Sequence, residues 1–97
     1  MSEIARTILD AVDQIPRGTV LSYRDVADFI GRSSARGVGM VMHRYGEEVP
    51  WHRVVHSDGT CAATVRERQL GLLRADGVPL RGTRVDMSAA RWDGHPA

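Results

Sequence analysis

The apolar positions of this chain change their period along its length, and the changes mark out elements. Ile4, Ile8, Leu9, Val12 and Ile15 recur at three- and four-residue spacing, which predicts an amphipathic helix. Ser2 is placed to cap it, Glu3 lies in its first turn, and Pro16-Arg17-Gly18 stops it. Thr19-Val20-Leu21 is a short β-prone run. Ser22 then caps a second helix, with Asp25 echoing a capping box. Val26, Ala27, Phe29 and Ile30 give this helix its buried face, and Gly31 is its C′ glycine. Ser33 or Ser34 caps a third helix running to about Tyr45.

Two short helices joined by a tight glycine turn over residues 22–45 form the pattern of a helix-turn-helix. Beyond it, Val49 to Val55 mixes a loop with a short extended run, and Ser57-Asp58-Gly59-Thr60 is a turn. A last helix is expected from about Val65 to Ala75, with Leu70, Leu72 and Leu73 apolar, ending at Asp76-Gly77. The remainder, Val78 to Ala97, reads as an irregular or short-stranded tail from which Trp92 folds back onto the core. The expected architecture is mainly α, a winged-helix-like domain with short strands, and one domain over residues 1–97 with its tail from about 81 unassigned.

Bulk charge does not explain what such a domain would bind. The net charge is only +1, so any grip on nucleic acid must come from local placement of cations. All thirteen basic residues are arginine, so each carries a planar fork able to hold a phosphate bidentately or stack on a base. Cys61 is the single cysteine, which excludes an intramolecular disulfide and a cysteine metal cage and fits a reducing compartment. No signal peptide is visible, and no apolar run approaches the ~20 residues that span a bilayer. A cytoplasmic protein without membrane contact is expected, nucleoid-associated if bacterial.

Several residues carry candidate chemistry. Gly37 and Gly39 lie inside the third helix, where each costs roughly 1 kcal/mol relative to alanine. Such positions suit close approach, either to a DNA groove or to a neighbouring helix. Arg36, beside them, is either an exposed helix arginine or a side chain that enters a groove. Tyr23 is either half-buried or part of a site, and Arg24 next to it is suited to a phosphate. Trp51 reads as core or as one wall of an apolar pocket, and His52-Arg53 after it are poor core formers. The histidines have no metal-binding spacing, so no metal is expected, and no Gly-x-Ser-x-Gly nucleophile elbow occurs, so no serine nucleophile is expected; nothing in the sequence calls for a cofactor. Cys61 lacks the adjacent histidine that would activate it.

Three blocks taken together resemble a known family. Ser22-Tyr23-Arg24-Asp25-Val26-Ala27, Ala35-Arg36-Gly37-Val38-Gly39 and Pro50-Trp51-His52-Arg53-Val54-Val55 are similar, in that order, to elements of the O6-alkylguanine-DNA alkyltransferases. Those enzymes have cysteine where this chain has Trp51, and the cysteine takes the alkyl group. An indole cannot displace an alkyl group from oxygen, so the resemblance is to the alkyltransferase-like branch, which recognises lesions without repairing them. A short acidic segment ending in Val49-Pro50-Trp51 supports that branch.

The resemblance implies a set of roles. Arg36 would fill the gap left by a flipped base, and Tyr23 would push on the phosphate 3′ of it. Arg24, Arg32, Ser34 and Gly37 would complete the contact with double-stranded DNA. Trp51, His52, Arg53 and Val54 would form the lesion pocket, with Asp76, in Leu72-Leu73-Arg74-Ala75-Asp76-Gly77, standing for the family's glutamate. The branch often has a lesion-stacking arginine a few residues past the turn at Gly59. Thr60-Cys61-Ala62-Ala63-Thr64-Val65 has none, which leaves Arg66 as the nearest candidate. The resemblance is to the DNA-binding and pocket domain alone, and no counterpart of the full-length enzymes' N-terminal domain is expected. The implied function is a monomeric, non-enzymatic sensor that flips O6-alkylguanine and signals to nucleotide excision repair proteins. The competing expectation is a dimeric helix-turn-helix regulator without lesion specificity.

Overall fold

The computed structural model describes residues 1–96. Helix α1, Glu3–Asp13, starts where the Ser2 hydroxyl accepts the Ala5 amide at 3.1 Å, and it buries Ala5, Ile8, Leu9, Ala11 and Val12. The chain turns at Pro16–Thr19 and enters β1, Leu21–Ser22. This strand pairs in parallel with β2, Val54–Val55, in the register Leu21 to Val54 and Ser22 to Val55. The period of two along a strand then divides the core. Leu21 and Val54 face Ile8, Val12, Ile15, Val26, Val38 and Trp92, whereas Val20 and Val55 face Leu70, Leu73, Val78, Val85 and Cys61.

The helix-turn-helix is locally determined. Helix α2, Tyr23–Ile30, has a complete capping box: the Ser22 hydroxyl accepts the Asp25 amide at 2.9 Å, and the Asp25 carboxylate accepts the Ser22 amide at 3.0 Å. Gly31 ends it in the left-handed region at φ 71°. Ser33 is also left-handed, at φ 75°, an unusual state for a residue with a Cβ. Ser34 caps helix α3, Ala35–Tyr45, by accepting the Gly37 amide at 3.0 Å. A Cβ at Gly37 would lie 2.5 Å from the Ser33 hydroxyl, so a side chain here would have to push that hydroxyl aside, and the Gly37 amide serves the turn by donating to Ser34. Gly39 faces open space, so neither glycine packs on a neighbouring helix.

The second half departs from expectation in detail. Residues 46–53 contain two 3-10 turns, Gly46–Glu48 and Trp51–Arg53, before β2. Helix α4, Arg66–Asp76, follows a further 3-10 turn, Ala63–Val65, and stops at Gly77 with φ 79°. It is not the last helix. The tail forms an antiparallel hairpin of β3, Leu80–Arg81, and β4, Arg84–Val85, then helix α5, Met87–Ala90. Trp92 does fold back: its amide donates to the Val20 carbonyl at 2.9 Å, and its ring is buried. Phe29 belongs to the expected buried face of α2 but is 40% exposed, its ring tilted against that of Trp92 with centroids 5.3 Å apart. Leu72 and Ile30 are only partly buried. The result is a mainly helical helix-turn-helix domain with short strands. Among the described residues, no helix is long and apolar enough to cross a membrane.

One glycine holds the hairpin in place. The Gly59 carbonyl accepts the Val85 amide at 2.9 Å, Gly59 has φ +89°, and a Cβ there would press into the Val85 carbonyl oxygen. Gly59→Ala is expected to cost at least about 2 kcal/mol, since it adds left-handed strain to a backbone clash. Urea unfolding of the variant would measure this, and an unchanged midpoint would contradict it.

Candidate nucleic-acid interface

Two neighbouring cavities meet at Tyr23. The first, of about 230 Å³, lies between the end of α3, the 46–51 segment and the start of α4; Tyr23, Met42, Glu47, Trp51, Val65 and Arg68 are among its walls. The second is a more open groove along the start of α3, lined by Tyr23, Arg24, Ala35, Arg36, Gly39, His56 and Ser57. Tyr23 therefore stands at the junction of a pocket and a groove. Its ring is tilted against His56 at 5.5 Å, and burial, with the nearby Cys61 thiol adding to it, raises its phenol pKa.

Trp51 is presented by the 3-10 turn after Pro50, half-buried in the pocket wall. The Arg68 guanidinium lies over its indole at 5.1 Å from the ring centroid. Two bonds from Arg68 to the Glu47 carboxylate, at 3.2 and 3.5 Å, fix the plane of that guanidinium.

Behind the pocket, one carboxylate gathers three basic side chains. Asp76 Oδ2 lies 2.8 Å from His52 Nε2 and accepts a bond from Arg53 Nε, also at 2.8 Å. Arg17 approaches Asp76 Oδ1 at 3.6 Å and donates to the Ala75 carbonyl. Arg53 also donates to the Ile15 carbonyl at 3.0 Å, which ties the pocket segment to the chain just beyond α1. Burial alone would raise the Asp76 pKa, but the bonds from Arg53 and His52 outweigh it and hold the carboxyl below its ordinary value. Gln69, itself buried, donates to the carbonyls of His52 at 3.1 Å and Val54 at 2.8 Å, so α4 grips the backbone that carries Trp51.

The structure thus brings together some of the residues the sequence singled out and separates others. Tyr23, Arg24 and Arg36 share the groove, with Arg24 also paired to Asp28 at 3.2 Å. Ser34 is the α3 cap and Gly37 serves the turn. Arg32 lines neither cavity and lies 3.8 Å from Glu3 of α1. Trp51 walls the pocket, but His52, Arg53 and Asp76 form the brace behind it and Val54 is core. Arg66 is not in the pocket wall. Sequence reasoning missed Arg68, Glu47, His56 and Gln69. Only Gln69 left a sequence signal, a polar residue on the stripe shared with Leu70 and Leu73.

Comparison with known proteins shows the family. The family described as "6-O-methylguanine DNA methyltransferase, DNA binding domain" matches residues 3–78. The chain is 41% identical over 88 residues to a DNA base-flipping protein of Escherichia coli, covering 84% of this chain and 68% of that protein. It is 38% identical over 92 residues to alkyltransferase-like protein 1 of Schizosaccharomyces pombe, covering 88% and 85%. The crystal structure of S. pombe Atl1 in complex with damaged DNA containing O6-carboxymethylguanine superposes with a TM-score of 0.84 at 32% identity, over 96% of this chain and 97% of that one. The chain belongs to the 6-O-methylguanine DNA methyltransferase DNA-binding-domain family, among its alkyltransferase-like members.

Proposed function

We propose that this protein is a non-enzymatic sensor that binds duplex DNA, flips O6-alkylguanine into the pocket beside Trp51 and leaves the lesion in place. The observation that carries the reading is the chemistry of the pocket wall. The residue before the His52-Arg53 pair is an indole under a guanidinium, two flat surfaces suited to a base and incapable of accepting an alkyl group. The Cys61 thiol is 3% exposed, lines neither cavity, and has its pKa raised by burial against a smaller opposing effect of Arg66. It is therefore a poor nucleophile.

Flipping costs a few kcal/mol, least for a weakly paired damaged base, and this difference together with pocket contacts supplies selectivity. Tyr23 presses on the backbone of the departing nucleotide, a role supported by its position where groove and pocket meet. Arg36, in the groove wall, enters the stack behind it. A protein that holds a lesion it cannot remove acts through a partner, and we assign that role to nucleotide excision repair. Tight binding would also shield the lesion from a true alkyltransferase. The protein acts as a monomer, since one groove and one pocket complete the site, in a cytoplasmic or nucleoid setting.

The test is the affinity for one duplex carrying guanine or O6-methylguanine at a single position, at fixed salt because phosphate contacts dominate non-specific binding. A preference of at least about tenfold, roughly 1.4 kcal/mol, is expected. Equal affinities would reject lesion sensing and favour a general helix-turn-helix DNA-binding domain.

A further inference from the structure

We infer that Met40 is an apolar wedge of the DNA interface, set one helical turn beyond Arg36, and that it holds the bend of the bound duplex. The inference rests on the DNA binding proposed above and is independent of lesion recognition. Along α3, Val38 is fully buried and Val41 and Met42 pack against the core, so the solvent face is Arg36, Met40, His43 and Arg44. Met40 is the apolar exception on that face: it is 66% exposed and, among the described residues, belongs to neither core cluster. The other two exposed large apolar side chains differ, since Met1 is terminal and Phe29 is tilted against Trp92. A single exposed apolar residue is ordinary on a protein surface, and it is the surroundings of this one that set it apart. Met40 lies on an open shelf with Arg36, Gly39, His43 and Arg44, and the shelf continues through Arg36 and Gly39 into the groove that reaches Tyr23. Among the described residues, no carboxylate lines either one. An apolar centre between cations fits nucleic acid, where base edges and sugars run between phosphates. An apolar protein surface would instead strand Arg36 and Arg44 without partners. Four residues of helix advance about 6 Å, close to two base-pair rises of about 3.4 Å, so Arg36 and Met40 can engage the duplex about two base pairs apart. Gly39 leaves open space beside Met40, which lets the flexible thioether lie flat against a base step. Proteins that bend DNA wedge such side chains into base steps.

The experiment measures affinity for the guanine and O6-methylguanine duplexes across a salt series, and the end-to-end distance of dye-labelled duplexes, for wild type, Met40→Ala, Met40→Gln and Met40→Leu. Urea midpoints should match wild type, because the side chain is exposed. Met40→Ala and Met40→Gln are expected to weaken binding about fivefold on both duplexes, with an unchanged salt slope and a smaller bend. Met40→Leu should keep both affinity and bend. Wild-type affinity and bend in Met40→Gln would overturn the inference, and altered self-association of that variant would then assign the face to a second copy of the chain. An affinity loss with an unchanged bend would make Met40 a surface contact and overturn the wedge. A loss confined to the O6-methylguanine duplex would place Met40 in lesion recognition, which also overturns it. If wild type binds the two duplexes equally while Met40→Gln binds both less well and bends them less, lesion sensing fails and the wedge stands. Wild type that binds neither duplex would reject both.

Discussion

Replacing Arg36 with alanine is expected to weaken binding to an O6-methylguanine duplex about thirtyfold, roughly 2 kcal/mol, without affecting the fold. Arg36 is exposed in the first turn of α3 and, among the described residues, has no ion-pair partner, so its loss exposes no buried charge. It lines the groove that runs up to Tyr23, and Gly39, one turn further along α3, presents open space rather than a side chain. The backbone of α3 can therefore come close to DNA while Arg36 projects ahead of it. A base leaving the stack opens a gap whose unstacking cost is a few kcal/mol, and an inserted side chain recovers part of it. The turn before α3 is set locally, by Ser33 in the left-handed region and by the Ser34 cap, so the backbone position from which Arg36 projects is fixed by its neighbours in sequence. Arg36→Lys keeps the charge and should recover only the non-specific fraction of the affinity. Tyr23→Ala should lose lesion binding in the same direction. If the alanine variants at both positions bind lesion DNA as tightly as wild type, flipping by these residues is wrong.

The legible parts of the fold were those fixed by neighbours in sequence. Ser2, the Ser22 and Asp25 box, Gly31 and Ser34 each act within four residues, so the bounds of α1, α2 and α3 could be read directly. Phe29 could not be placed, because its partner Trp92 arrives from the far end of the chain and stops at the rim. The hairpin of the tail has strands of two residues each, too short for alternation to register. In the site, Trp51 was legible because a block of six residues surrounds it, while Val54 in the same block points into the core on the alternate face of β2. In sequence, Arg66 is the arginine nearest past the turn at Gly59. A helix advances about 100° per residue, so Arg68 lies about 200° further round α4, and that rotation carries it over Trp51 while Arg66 stays outside the pocket wall. An exposed arginine one turn into a helix looks like a solvated charge until tertiary structure supplies the indole beneath it.

Asp76 should prove the most costly single carboxylate to remove. Its side chain is 10% exposed, and it bonds Arg53 and His52, which are themselves 17% and 12% exposed. Asp76→Ala would leave a guanidinium and an imidazole facing an empty site, and breaking such a partly buried cluster by deleting one partner costs about 3 kcal/mol. For a domain of this size that lowers Tm by roughly 12–24 °C. The effect depends on pH with a definite sign. The carboxyl pKa is lower in the folded protein than in the unfolded chain, so the unfolded state binds the proton more readily. The stability contributed is fully present above roughly pH 4, near the ordinary aspartate value, and is lost as pH falls through the lower folded value. The gap in unfolding free energy between wild type and Asp76→Ala should therefore narrow as the pH falls below about 4. Arg53 also holds the Ile15 carbonyl, so freeing it loosens the segment that presents Trp51, and lesion preference should fall together with stability. Urea unfolding across this pH range, paired with the two-duplex binding assay, measures both effects. A Tm within about 3 °C of wild type, or a gap that widens in acid, would show that the three basic side chains do not depend on this carboxylate.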